Sequence, residues 1–144
     1  MDSKSTVVWQ GSLKAGQGKI TTESGALKES VYTYGTRFEN NPGTNPEELI
    51  AAAHAGCFTM AVTDELGSAG ITPEQITTIA KVTLSTDGNE PEITQIHLDV
   101  SAKLPSGDPE AAEKFEKAAQ TAKKNCPVSR LLNADIVMDT HVQS

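Results

Sequence analysis

The chain has 144 residues, 37% of them apolar and 22% charged, which is enough for one domain with its own hydrophobic core. Its formal net charge of −7 comes from interspersed acids and bases, which argues against nucleic acid or an anionic membrane as partner. Only 4% of residues are aromatic, leaving few rings for stacking on single strands.

The opening segment MDSKSTVVWQ lacks the apolar stretch of a secretory signal. The longest uncharged run, Leu49 to Thr63, is shorter than the roughly 20 residues a membrane span needs. A buried helix and a cytoplasmic location are therefore expected. Two cysteines in such a chain point to a reducing compartment. Catalysis, metal binding or inert burial are their open roles.

In chain order, β-prone segments at Thr6–Leu13, Gly18–Thr22 and Val31–Phe38 are separated by Gly and Ser turns. The cluster NNPGTN at Asn40–Asn45 breaks the pattern. Asn45-Pro46-Glu47-Glu48 then opens a long helix, with an N-cap, a proline at the first position and acids in the first turn. Gly67 and Gly70 end it. Two strands, Ile76–Ser85 and Ile93–Leu104, are joined through Asp87-Gly88. The second puts Ile96, Leu98, Val100, Ala102 and Leu104 on one face and His97, Asp99 and Lys103 on the other, as expected of an antiparallel strand with one wet side.

A second helix is predicted from Asp108 to Lys124, with Ala111, Phe115, Ala118, Ala119 and Ala122 as its apolar stripe. Cys126-Pro127 begins a helical turn through Leu132, and Ala134–Val142 forms a last strand. The expected fold is α+β, with antiparallel sheets packed on a long buried helix and a second helix. One domain over residues 1–144 is expected, with an N-terminal β segment over about 1–40 and a helix–sheet core over about 45–144.

Several motifs fail on inspection. The run Gly16-Gln17-Gly18-Lys19 has Leu13 where a phosphate loop needs glycine, Ile20 where it needs Ser or Thr, and Thr21 where a dinucleotide fingerprint needs its third glycine. No Cys or His pair has zinc-finger spacing. His54 and Cys57, three apart on one helix, fit a shared metal or a dyad, although a core-facing histidine is the commoner outcome. His97 and His141 read as surface residues.

Cys57 lies about three turns into its helix, beyond the reach of the helix dipole. A working thiolate there needs a nearby cation, and the chain has two arginines, Arg37 and Arg130. Cys126 sits at a helix start before Pro127, where a thiol pKa falls.

With these residues in view, TNPEELIAAAHAGCFTM (Thr44–Met60) resembles the first-cysteine motif of the OsmC/Ohr family of thiol peroxidases. NCPVSRLL (Asn125–Leu132) resembles its second. VVWQGSLKAGQGKITTESGAL, YGTRFE (Tyr34–Glu39) and the Glu-Glu-Leu-Ile and Ala-Ala-His-Ala segments are similar to the OsmC branch, osmotically inducible protein C.

This resemblance implies an intertwined homodimer that reduces organic hydroperoxides, and hydrogen peroxide less well, in oxidative and osmotic stress defence. It implies no cofactor and no metal. Cys57 matches the peroxidatic cysteine that becomes a sulfenic acid. Cys126 matches the resolving cysteine that closes an intrachain disulfide. Arg37 matches the arginine that holds the first thiol ionised, and Glu47 the glutamate that orients it. A dithiol reductant, such as a lipoylated protein, is the implied partner.

Physical chemistry agrees with those roles. A guanidinium stays charged when desolvated and can hold a thiolate, a peroxide oxygen and a carboxylate together. A second thiol protects a sulfenic acid from over-oxidation. Apolar neighbours of Cys57 (Phe58, Met60 and the alanines) are expected to favour organic hydroperoxides. Glu47 and Cys57 are about 15 Å apart along a continuous helix, so an antiparallel pairing of long helices in a dimer with shared sites is expected. Two other readings stand beside the peroxidase: a binding module whose cysteines only pack, and a redox sensor that oxidises without turnover.

Overall fold

The described residues form ten elements: β1 (Ser5–Gln10), β2 (Gln17–Thr22), β3 (Ser30–Tyr32), α1 (Tyr34–Phe38), α2 (Pro46–Ser68), β4 (Gln75–Ser85), β5 (Glu92–Lys103), α3 (Ala111–Asn125), α4 (Pro127–Leu131) and β6 (Asp135–Gln143). They are seen in a computed structural model that describes residues 1–143. The chain forms two compact units, the first spanning Met1–Leu49 and the second running from Ile50 onward. The fold is α+β, with a three-stranded sheet in each unit.

In the first unit β1, β2 and β3 form an antiparallel sheet in that order. Gly18, one glycine of the failed phosphate-loop motif, sits opposite Tyr32. A Cβ on Gly18 would lie 2.2 Å from the Tyr32 ring, so the strand needs glycine there for the tyrosine to lie flat across it.

The expected strand Val31–Phe38 is corrected. Only Ser30–Tyr32 pairs, and Tyr34–Phe38 forms helix α1. The cause is local: Thr33 Oγ1 accepts from the Thr36 N–H at 3.1 Å while Thr36 Oγ1 accepts from the Thr33 N–H at 2.9 Å. This reciprocal capping box outweighs the β preference of the sequence around it.

Asn45 caps α2 as expected, its Oδ1 accepting from the Glu48 N–H at 2.8 Å. Beyond Leu49 the helix has a fully buried line at every fourth residue, His54, Phe58, Val62 and Leu66. Across the helix Ala52, Ala53, Gly56, Met60 and Thr63 are exposed.

In the second unit β4 and β5 form the expected antiparallel hairpin. The last strand differs: β6 runs parallel to β5. Parallel neighbours need a long crossover connection, and α3 with α4 provides it. Ile96, Leu98, Val100 and Ala102 of β5 meet Phe58, Val62 and Leu66 of α2 and the α3 stripe Ala111, Phe115, Ala118, Ala119 and Ala122 in one core. Helix α3 starts at Ala111, three residues later than expected. The Asp108 carboxylate instead accepts from the Glu110 N–H at 2.9 Å and from Lys114 Nζ at 2.8 Å just ahead of it. Among the described residues no helix is long and apolar enough to cross a membrane.

Candidate active site

The two halves of the predicted site constellation are each assembled within one unit. In the first, α1 and the start of α2 bring Arg37 to Glu47. Arg37 Nη2 and Nε donate to Glu47 Oε1 at 2.8 and 3.0 Å, and Nε reaches Oε2 at 3.3 Å. Glu47 is buried, whereas the arginine side chain is 37% exposed. Such a fork fixes the guanidinium plane and leaves its Nη1 edge to face other groups. Neighbouring bonds hold the base of this pair: Asn45 Nδ2 donates to the Thr36 carbonyl at 3.2 Å, and Thr44 Oγ1 donates to Glu48 at 2.6 Å.

Beside Arg37 the first unit has an open cleft of about 380 Å³ lined by Trp9, Leu13, Tyr32, Tyr34 and Phe38. The Arg37 guanidinium carbon lies 5.2 Å from the Phe38 ring centre. Tyr34 and Phe38 are 4.9 Å apart, and Trp9 meets Tyr32 edge-on at 5.6 Å. The cleft therefore sets an apolar wall next to a cation. Sequence reasoning looked for that wall around Cys57 instead, but Phe58 is sealed in the core. The available signal was the helical spacing of Tyr34 and Phe38, obscured by reading the segment as strand.

In the second unit the crossover carries Cys126 back to Cys57. Both are free thiols, Cys57 partly exposed and Cys126 buried. The Cys126 side chain and the Val128 N–H are both neighbours of the Cys57 sulfur. Cys126 caps α4, its sulfur accepting from the Ser129 N–H at 3.3 Å, with Pro127 at the first helical position. Burial pushes the Cys57 thiol above its ordinary value; the Val128 N–H opposes this, while the bond and charge of Cys126 add to it. None of these causes is a cation.

Sequence reasoning left His54 between a core residue and a dyad or metal partner of Cys57. It is fully buried, and its Nε2 lies 2.7 Å from Ser129 Oγ. Ser129 Oγ also lies 3.1 Å from Cys126 Sγ. Burial holds the imidazole pKa below its ordinary value. Ser129 was not anticipated, because a serine in NCPVSRLL has no special signal until the chain folds. Among the described residues no cluster of three or more His, Cys, Asp or Glu is placed to hold a metal. His97 and His141 lie on the outer face of the second sheet, bonded to Asp139 at 2.7 Å and Asp99 at 3.0 Å.

A family model described as OsmC-like protein matches residues 38–141. Peroxiredoxin OsmC of Escherichia coli (strain K12) is 46% identical over 136 residues, covering 94% of this chain and 93% of its own. The organic hydroperoxide resistance protein-like 1 of Staphylococcus saprophyticus is 27% identical over 128 residues, covering 87% of this chain and 86% of its own. In fold, the chain is similar to an OsmC-like protein of unknown function from Vibrio cholerae, with a TM-score of 0.79 at 14% identity over 97% of this chain and 99% of that one.

Proposed function

Because the chain belongs to the OsmC-like protein family and is a cysteine-based hydroperoxide peroxidase, we propose that it works through two cysteines, Cys57 and Cys126. The observation that carries this reading is that the fold makes two free thiols, 69 positions apart in the chain, neighbours whose charges influence one another. A packing-only role gives no reason for the fold to bring them together.

In the first step the Cys57 thiolate attacks the distal oxygen of a hydroperoxide. The O–O bond breaks, the distal oxygen stays on Cys57 with its hydrogen as a sulfenic acid, and the alkoxide takes up the proton that the Cys57 thiol had released and leaves as an alcohol. In the second, the Cys126 sulfur attacks the Cys57 sulfur, the S–O bond breaks, and water leaves. The resulting disulfide is reduced by an external dithiol, of which a lipoylated protein is one chemical type.

Arg37, oriented by Glu47, is the cation that holds Cys57 ionised and polarises the peroxide. The raised pKa of the thiol in its own unit is the reason such a cation is needed. The aromatic cleft beside Arg37 favours organic hydroperoxides over hydrogen peroxide.

The working form is a homodimer with shared sites, in which the small, uncharged face of α2 (Ala52, Ala53, Gly56, Met60, Thr63) packs on its copy. Exposed Met60, at 76%, and the glycine and alanines beside it suit close helix approach. Light scattering that returned a monomeric mass at working concentration would remove this part.

The whole cycle is tested by titrating thiols of the reduced protein before and after one equivalent of organic hydroperoxide, with mass mapping. Loss of both thiols within seconds and a Cys57–Cys126 disulfide are expected. Thiols that oxidise no faster than free cysteine would leave a protein whose cysteines only pack.

A further inference from the structure

The line Cys126 Sγ, Ser129 Oγ, His54 Nε2 is continuous, with links of 3.1 and 2.7 Å. All three residues are buried: His54 fully, Cys126 with 1% exposed and Ser129 with 8%. A histidine is an unexpected occupant of its position. The other members of the same buried line on α2 are Phe58, Val62 and Leu66, and an apolar side chain at position 54 would bring no polar atoms into the core.

This ring also leaves one of its own atoms unsatisfied. Among the described residues His54 Nδ1 is buried with no hydrogen-bond partner, a cost that a purely structural histidine has no reason to carry. Burial keeps the imidazole neutral, so with the hydrogen on Nδ1, Nε2 is an acceptor aimed at the Ser129 hydroxyl.

From this geometry we infer that His54 and Ser129 are positioning residues for the resolving step, forming a two-proton relay that deprotonates Cys126 as it attacks the sulfenic acid on Cys57. The inference rests on the two-cysteine reading above. The thiol proton of Cys126 passes to Ser129 Oγ while the hydroxyl proton of Ser129 passes to His54 Nε2. The sulfur electron pair forms the S–S bond, and the Cys57 S–O bond breaks. Hydroxide leaves and recovers one proton from the relay as water. In sum, one thiol and one sulfenic acid become one disulfide and one water, with no further oxidant. The same two relay contacts serve both proton arrangements.

Such a relay makes the thiolate only when the sulfenic acid is there to receive it. An already ionised Cys126 would be a second negative charge beside Cys57, raising the pKa of the thiol that must ionise first.

The test is rapid mixing of reduced enzyme with one equivalent of cumene hydroperoxide, separating sulfenic acid formation from disulfide formation, with a cyclic 1,3-diketone present to trap sulfenic acid. In the wild-type protein the disulfide phase is expected to show a bowed dependence of rate on deuterium fraction, from two protons in flight. Ser129→Ala and His54→Gln are expected to slow that phase about 10- to 100-fold, so that trapped sulfenic acid becomes the main product. Ser129→Thr, which keeps the hydroxyl, is expected to restore the disulfide.

A linear deuterium dependence in the wild type overturns the relay, and this readout requires no variant to fold. Disulfide formation at the wild-type rate in a folded Ser129→Ala protein overturns it as well. A wild-type protein that gives neither adduct nor disulfide fails at the earlier step and overturns the two-cysteine cycle itself.

Discussion

Glu47 grips Arg37 from one side only, with both of its contacts under 3.1 Å going to a single carboxylate oxygen, Oε1. The arginine is thereby held in plane without being enclosed. Replacing the glutamate with glutamine keeps the shape and removes the charge. Glu47→Gln is expected to lower kcat/KM for organic hydroperoxides by about 10- to 100-fold, or roughly 1.4–2.7 kcal/mol of transition-state stabilisation. A change of less than twofold in steady-state assays would mean that the pair serves structure alone.

The two cysteines are expected to fail in different ways. Cys57→Ser loses turnover altogether. Cys126→Ser completes the first chemical step once, then stalls with oxygen atoms accumulating on Cys57 under excess peroxide. Intact-protein mass spectrometry after a peroxide pulse distinguishes the two. Sustained turnover by Cys126→Ser with a dithiol reductant would show that resolution does not need the second thiol.

Substrate preference is expected to follow the aromatic cleft. Phe38→Ala removes the ring under the Arg37 guanidinium and opens one wall of the cleft. KM for cumene hydroperoxide is expected to rise several-fold while kcat/KM for hydrogen peroxide changes little. An equal loss for both peroxides would assign Phe38 to holding the arginine rather than to recognising the organic group.

Stability is expected to fall in mildly acidic solution because of His54. Burial depresses its native pKa, so the unfolded chain takes up a proton at a higher pH than the native one. The contribution is complete above the ordinary histidine value, about 6.5, and is lost as pH falls below it toward the lower native value. Asp108, whose pKa is lowered first by its bond to Lys114, acts in a separate and more acidic window. Urea unfolding across this range should show the first slope in the wild type and a flatter one in His54→Gln; identical slopes would remove His54 as its source.

In the core, Phe115 is 1% exposed and belongs to the buried cluster that residues of α2, β5 and α3 share. Phe115→Ala is expected to cost about 3–5 kcal/mol, measured as a shift in denaturant midpoint. A loss below 1 kcal/mol would imply that the helix collapses onto the space.

Much of this architecture was readable in advance because strong periodicities carried it. The five residues of the α3 stripe and the alternation of β5 are the residues found in the core. Asn45 and Pro46 marked the start of α2 by local chemistry alone. Where polar detail competes with composition, the reading failed: Val31–Phe38 is rich in strand formers, and two threonines turn half of it into helix. The parallel direction of β6 depends on where the crossover lands, which no local pattern encodes. Cys57 and Cys126 stood out as the chain's two thiols, whereas Arg37 and Glu47 were singled out by the resemblance of their segments to the OsmC/Ohr family. Ser129 was not, since its importance comes only from lying between His54 and Cys126 in space.

The crossover from β5 to β6 also has a consequence for the protein's synthesis. A ribosome delivers Cys57 well before the segment that holds Cys126, and β6, which follows it, is what completes the parallel pairing. Until that C-terminal portion docks, a nascent chain has an oxidisable thiol on α2 with no second sulfur beside it. On the two-cysteine reading, protection of Cys57 from irreversible damage is therefore acquired late, and a chain that lacks α4 and β6 is expected to over-oxidise more readily.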